Sequence, residues 1–233
     1  MGTIRAMTRR TTVFSAHQPA VAGPAQGGLT RRTLLAGGSL GLMALGLAGC
    51  AGGGPVYYTL AVVPGAVVPL PPGAPTVVEI RQPGIAGGLN RDRIVTADDG
   101  YRLSISSTGA WSDSLAEQLG RVLAGDLAQR LPNAGVFVEN DAVSTTPQAI
   151  VELSVTRFST NPQGFVALDG TVLVRRAGPA AATPVIQRVT LQGARAGNTL
   201  DMVRELSTLV GRLADLVARS LCALPPLPDP AQG

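Results

Sequence analysis

Ile150-Val151-Glu152-Leu153-Ser154-Val155-Thr156-Arg157-Phe158 sets Val151, Leu153 and Val155 alternately against Glu152, Ser154 and Thr156. Strand side chains point to opposite faces in turn, so this period of two gives a strand with one apolar and one wet face. The pattern recurs downstream. Residues 165 to 175 set Val166, Leu168, Val172 and Val174 against Asp169, Thr171 and Arg175. Residues 185 to 191 set Val185, Val189 and Leu191 against Ile186, Arg188 and Thr190. One-sided alternation of this kind predicts antiparallel strands. Asn161-Pro162-Gln163-Gly164 and the Ala/Gly/Pro stretch 177 to 184 supply hairpin-like connections.

Two helices flank these strands. Before them, 114 to 131 carries Leu115, Leu119, Val122, Leu123 and Leu127 at helical spacing, and Pro132 stops it. Ser114 and Glu117 match a capping box, and Trp111 introduces the helix as a core anchor. After them, 200 to 221 carries Leu206, Leu209, Val210, Leu213, Leu216 and Val217, with Asn198 or Thr199 as cap. Upstream, 56 to 63 reads Val-Tyr-Tyr-Thr-Leu-Ala-Val-Val and predicts a strand. The five prolines and two glycines of 64 to 75 predict a loop, 76 to 81 a short strand, and 82 to 90 a Gly-rich loop. Two more strands, 93 to 96 and 101 to 106, flank an Asp98-Asp99-Gly100 turn. The expected fold class is α+β: a mostly antiparallel sheet with two long helices packed on one face.

Further out, 30 to 50 reads Thr-Arg-Arg-Thr-Leu-Leu-Ala-Gly-Gly-Ser-Leu-Gly-Leu-Met-Ala-Leu-Gly-Leu-Ala-Gly-Cys. A twin arginine, an uncharged apolar run and small residues before a cysteine have the order of an export signal. The uncharged run from Thr33 to Gly49 is 17 residues with five glycines, short for a spanning helix. Arg31-Arg32 resembles a twin-arginine signal, and Leu47-Ala48-Gly49-Cys50 resembles a bacterial lipobox. That resemblance implies cleavage before Cys50, acyl chains such as palmitate on its thiol and new amino terminus, and no other cofactor. The expected organisation is then an export signal with an extended n-region at 1–49, a lipidated tether at 50–56, a domain at 57–222, and a Pro-rich disordered tail at 223–233.

The boundary at Cys50 divides the chain chemically. The whole chain has a net charge of +4, yet Arg5, Arg9, Arg10, Arg31 and Arg32 all precede Cys50 and no acid does. From Cys50 on, 14 Arg stand against 15 Asp and Glu, a formal charge of −1. No basic footprint for nucleic acid remains. The single histidine, His17, is also upstream, and lysine is absent throughout. The remaining chain therefore lacks the residues for Ser-His-Asp, Cys-His or Ser-Lys catalysis and for histidine-bound zinc. No metal site is expected. Asp98-Asp99 reads as a turn rather than a catalytic pair, and Cys222 as a small buried hydrophobe. The reading is of a non-enzyme.

Several segments in this order carry a family resemblance. They are Tyr57-Tyr58-Thr59-Leu60 just after the cysteine, Val77-Val78-Glu79-Ile80 after a Pro-rich loop, Leu89-Asn90-Arg91-Asp92-Arg93-Ile94-Val95, and a Trp111-led helix with Leu115, Arg121, Val122, Leu123, Leu127 and Leu131. Over about 50 to 221 the chain resembles the auxiliary lipoproteins of ABC-type lipid transport, the PqiC-like or YmbA-like family. Its Gly84 to Gly88 loop departs from the compact turn of that pattern. The resemblance implies a non-catalytic partner of an MCE-domain protein and ABC transporter components, moving phospholipid between inner and outer membranes. Ala51 rather than Asp after the cysteine implies a periplasm-facing place on the outer membrane of a Gram-negative bacterium. Symmetric homo-oligomerisation is implied by the ring-forming partners. Candidate lipid or partner contacts are Tyr57, Tyr58, Leu89, Arg91, Ile94 and Val95, each weighed against ordinary strand burial. An envelope-assembly lipoprotein, serving lipopolysaccharide or outer-membrane proteins, is the alternative.

Overall fold

The computed structural model describes residues 54–139, 141–143, 145–178 and 183–226. Nine strands and two helices run in the order β1 (Val56–Tyr58), β2 (Val77–Ile80), β3 (Gly84–Ile85), β4 (Arg93–Asp98), β5 (Leu103–Trp111), α1 (Leu115–Arg130), β6 (Gly135–Val138), β7 (Ala149–Thr160), β8 (Phe165–Arg176), β9 (Val185–Arg195) and α2 (Thr199–Cys222). These residues belong to one unit, Gly53–Gly233. The export signal, Cys50, and the end of the tail lie outside the described residues.

β7 is the axis of the sheet. Along one side it pairs antiparallel with the full length of β8, which pairs antiparallel with β9. Along the other side it receives three short strands end to end, all parallel: β2 at Ala149–Val151, β3 at Ser154–Val155 and β4 at Thr160. β2 carries β6 parallel at its far edge, while β4 pairs antiparallel with β5 and β5 carries β1 parallel. The fold is α+β, as the residue patterns predict; the sheet is mixed, its long β7–β8 and β8–β9 pairings antiparallel and most of its short pairings parallel. Alternation records which side of a strand is wet and carries no information about the direction of its neighbour. Parallel pairing needs a crossover, and the connection from β2 to β6 supplies one through α1.

The apolar face carries the core. Opposed pairs Leu153–Val172, Val151–Val174 and Phe158–Leu168 point to one side. A register shift between Val155 and Arg157 lets Phe158 join the Val151–Val155 face although the odd-numbered phase has changed. Gly170 opposes Val155 beside this shift, and a Cβ there would stand 2.2 Å from the Ser154 carbonyl oxygen. α2 packs on β7, β8 and β9, and α1 on α2, β3 and β6. Leu119, Leu123 and Leu127 of α1 and Leu206, Leu209 and Leu213 of α2 are wholly buried in one cluster with the sheet. Each such side chain contributes about 1.5–3 kcal/mol on burial.

The remaining differences are local. Asn198 caps α2, its side chain accepting from the Asp201 N–H at 2.9 Å, but Ser114 makes no side-chain cap bond, so no capping box forms on α1. β5 extends to Trp111, which closes a strand rather than opening a helix, with its ring 6.3 Å from that of Phe158. The Gly-rich loop contains β3, and β6 was not signalled by any run long enough to read. Leu224 is buried and the Pro225 carbonyl accepts from Arg176 at 2.9 Å, so the chain stays attached past residue 223.

Gly170→Ala should lose about 1–3 kcal/mol through overpacking against backbone, measured by urea unfolding. Gly87→Ala, which meets nothing within 4 Å, is the control. Equal midpoints for the two variants would refute the close-approach account.

Candidate functional site

The predicted strand 56 to 63 stops at Tyr58, because its partner β5 ends at Trp111, the register mate of Tyr58. The chain then crosses the helices as an extended strap, 59 to 70, without ladder partners. Its backbone groups must find others or remain unsatisfied at a cost. Side chains of α1 and α2 supply them. The Leu60 N–H donates to Gln118 Oε1 at 2.9 Å, that of Ala61 to Ser207 Oγ at 3.2 Å, and that of Val63 to Asp126 Oδ1 at 2.7 Å. The Val68 N–H donates to the Arg130 carbonyl at 2.7 Å.

Arg130 is the centre of this clamp. Its guanidinium is buried, ion-paired to Asp215, and donates to the carbonyls of Val63 at 3.3 Å and Asp126 at 3.0 Å. Gly65 is required above it, since a Cβ there would fall 2.2 Å from the guanidinium carbon. Asp126 is wholly buried, and one of its oxygens has no hydrogen-bond partner among the described residues. Burial pushes its carboxyl from the ordinary 3.8 up to about 6, against the opposing pull of the Val63 N–H and Arg130, with Asp215 adding to the rise. Sequence reasoning missed this clamp. The signal was present: Gln118, Val122, Asp126 and Arg130 form an i, i+4 row beside the Leu stripe, so their polar members border the core instead of facing water.

Between the strap and the first half of α2 lies a groove of about 400 Å³, walled by Tyr57, Tyr58, Ala61, Val63, Leu200 and Val203. Tyr57 is 66% exposed, while Tyr58 is half-buried. The other candidate contacts are not gathered here. Arg91 is exposed and donates to the Gly88 carbonyl at 2.7 Å. Leu89, Ile94 and Val95 are core side chains, which corrects their assignment as contacts. Ile94 and Val95 lie on β4 between β5 and β7, where a register shift between Arg93 and Val95 lets consecutive side chains both be covered. A larger concavity of about 630 Å³ opens on the wet face of the sheet. Its charges pair with neighbours, Arg175 with Glu152 at 3.3 Å and Arg81 with Glu79 at 3.1 Å.

Carboxylates outside the clamp are likewise held by structure. The Asp99 carboxylate accepts from the Tyr101 and Arg102 N–H groups, which hold it below the usual range. The Cys222 thiol is pushed up by burial, which disfavours the nucleophilic thiolate. Among the described residues no group of His, Cys, Asp and Glu is placed to hold a metal, and no helix is long and apolar enough to cross a membrane.

The model of a family described as the ABC-type transport auxiliary lipoprotein component matches residues 58–218. The chain belongs to that family. The match begins at the last residue of β1 and runs to the final turn of α2, so it takes in the strap and every residue of the clamp. Solved structures share the fold. An uncharacterized protein is 18% identical with a TM-score of 0.58, covering 72% of this chain and 99% of its own. Protein XCC0632 from Xanthomonas campestris, of family DUF330, is 13% identical with a TM-score of 0.54, covering 71% and 94%. No curated protein matches the sequence.

Because the folded pKa of Asp126 exceeds its unfolded value, protonation favours the fold, and its contribution falls as pH rises from 4 through 6. The slope from this group is about −1.4 kcal/mol per pH unit within that window. Asp126→Asn keeps an acceptor for the Val63 N–H and should remove this component, so urea unfolding from pH 4 to 7 should show wild type losing ground to the variant. Parallel pH profiles would contradict the assignment.

Proposed function

We propose that the protein is an outer-membrane lipoprotein, acylated on Cys50, that serves as the non-catalytic auxiliary component of an ABC/MCE-type phospholipid transport system. The family match over 58–218 carries the reading, since it names both an anchor and a transport partner. The sequence supports the anchor with the Leu47-Ala48-Gly49-Cys50 segment and supports the outer membrane with Ala51. The tether from Cys50 to Val56 spans at most about 20 Å, so the domain works close to the bilayer. In this reading Arg31-Arg32 direct export, and the domain docks the MCE-domain protein while Tyr57 and Tyr58 contact lipid or partner. A ring of copies would match the symmetry of such a partner.

The domain's role is positional. The chain from Cys50 on contains no histidine or lysine, and the buried Gln118, Asp126, Arg130 and Ser207 are spent on fixing the strap. A docking component needs a rigid surface at a set height above the membrane, and the clamp provides that rigidity.

Three measurements test the proposal. Cys50→Ala should move the protein from the membrane to the soluble fraction. The MCE-domain protein from the same organism should co-purify with the wild-type lipoprotein, and a deletion strain should show raised outer-membrane permeability. Absence of association together with unchanged permeability would overturn the transport role; association with outer-membrane assembly factors instead would favour the envelope-assembly reading.

A further inference from the structure

The direction of β1 decides which end of the domain meets the membrane. β1 runs parallel to β5, with Val56 opposite Gly109. The line of β1 continued backward from Val56 therefore points toward the start of β5, alongside the β4–β5 turn. Six residues separate Val56 from Cys50, and six separate Gly109 from Leu103, a reach of about 20 Å in each case. Fully extended along β5, the tether takes Cys50 no farther than the level of Leu103. The turn carrying Tyr101 stands just beyond that level.

Other elements end at the same place. β7 runs out at Thr160, which pairs with Ala97 of β4, and α2 begins at Thr199, where a depression is shared by Thr96, Thr160 and Thr199. Three large apolar side chains are exposed there, Tyr101, Ile105 and Leu200, while the exposed Val56 and Tyr57 lie on β1, about 20 Å back along β5. Tyr101 at the turn is fully exposed, and Arg102 and Arg204 have side chains 83% and 71% exposed while pairing at 3.7 Å with Asp99 and Asp201 respectively. Tyrosine with aliphatic neighbours suits the boundary between headgroups and acyl chains, and arginine suits lipid phosphate.

We propose that this end, formed by the β4–β5 turn and the first turn of α2, rests in the interface of the phospholipid bilayer that holds the anchor. The occupant is the membrane surface, because a tether of six steps keeps an acylated Cys50 within about 20 Å of Val56, and the line of β1 continued backward over that length points to the exposed Tyr101 turn. The opposite end, where β9 begins and β8 finishes, then faces away and is free for protein partners. The inference rests on acylation at Cys50.

The test uses the full lipoprotein reconstituted in phosphatidylcholine vesicles containing 5-doxyl acyl chains. Tyr101→Trp and Leu200→Trp report this end; Ile186→Trp, 62% exposed in the parent on β9 at the opposite end, is the control. Wild-type Trp111, which is buried, gives the background. Blue-shifted, doxyl-quenched emission from Tyr101→Trp and Leu200→Trp, with the control unquenched, is the expected result. Flotation with the vesicles but no quenching at either site, or equal quenching of the control, overturns the orientation while leaving the anchor intact. Failure of the wild type to float overturns the anchor and the orientation together.

Discussion

An extended chain that has left its sheet must place its amides somewhere, and in this protein the helices take them. Everything between the tether and β2 depends on that constraint. β1 is only three residues long, too short to hold the amino-terminal segment by ladder bonds alone. The strap after it would float free without Gln118, Ser207, Asp126 and Arg130. Burying these groups is costly unless they are paired, and the pairing is nearly complete: the strap satisfies the helices as much as the helices satisfy the strap. Arg130 touches both, and through Asp215 it also ties α1 to α2.

β7 plays the corresponding part in the sheet. Its length allows one full antiparallel partner on one side and three short parallel strands in succession on the other. The short strands are held less by their own ladders than by their surroundings: β2 by β6 at its far edge, β3 against α1, and β4 by its hairpin with β5. The bulge at Val155–Arg157 and the absent side chain at Gly170 bring the late half of β7 back onto the core face.

The elements that could be read from residue order were those with a long period and a clear face. The Leu stripe of α1, the stripe of α2 and the alternation of β7, β8 and β9 are of this kind, and each lies within a few residues of its expected place. Strand direction was not legible, because Val78 or Ile80 looks the same whichever way its neighbour runs. Nor were β3 and β6, of two and four residues, since so few positions define no period. Residues 59 to 63 are β-prone yet lie outside the sheet, because β1 stops where β5 stops, a limit set by a strand some fifty residues downstream. The candidate site was half legible. Tyr57 and Tyr58 do line a groove, whereas Leu89, Ile94 and Val95 are equally good core residues and were used as such. The clamp was hidden because Asp126 and Arg130 look like any wet helical pair until Val63 is laid across them.

The parallel alignment of β1 with β5 also has a mechanical meaning. A pull on the tether is directed along β1, whose far end continues into the clamped strap. β1 is thus stretched between two fixed points, and its bonds to β5 carry the load together in shear instead of opening one after another from an end. In a domain anchored as proposed above, a partner moving against the membrane would load this segment. Here such a tug reaches the buried Arg130 network before it reaches the core.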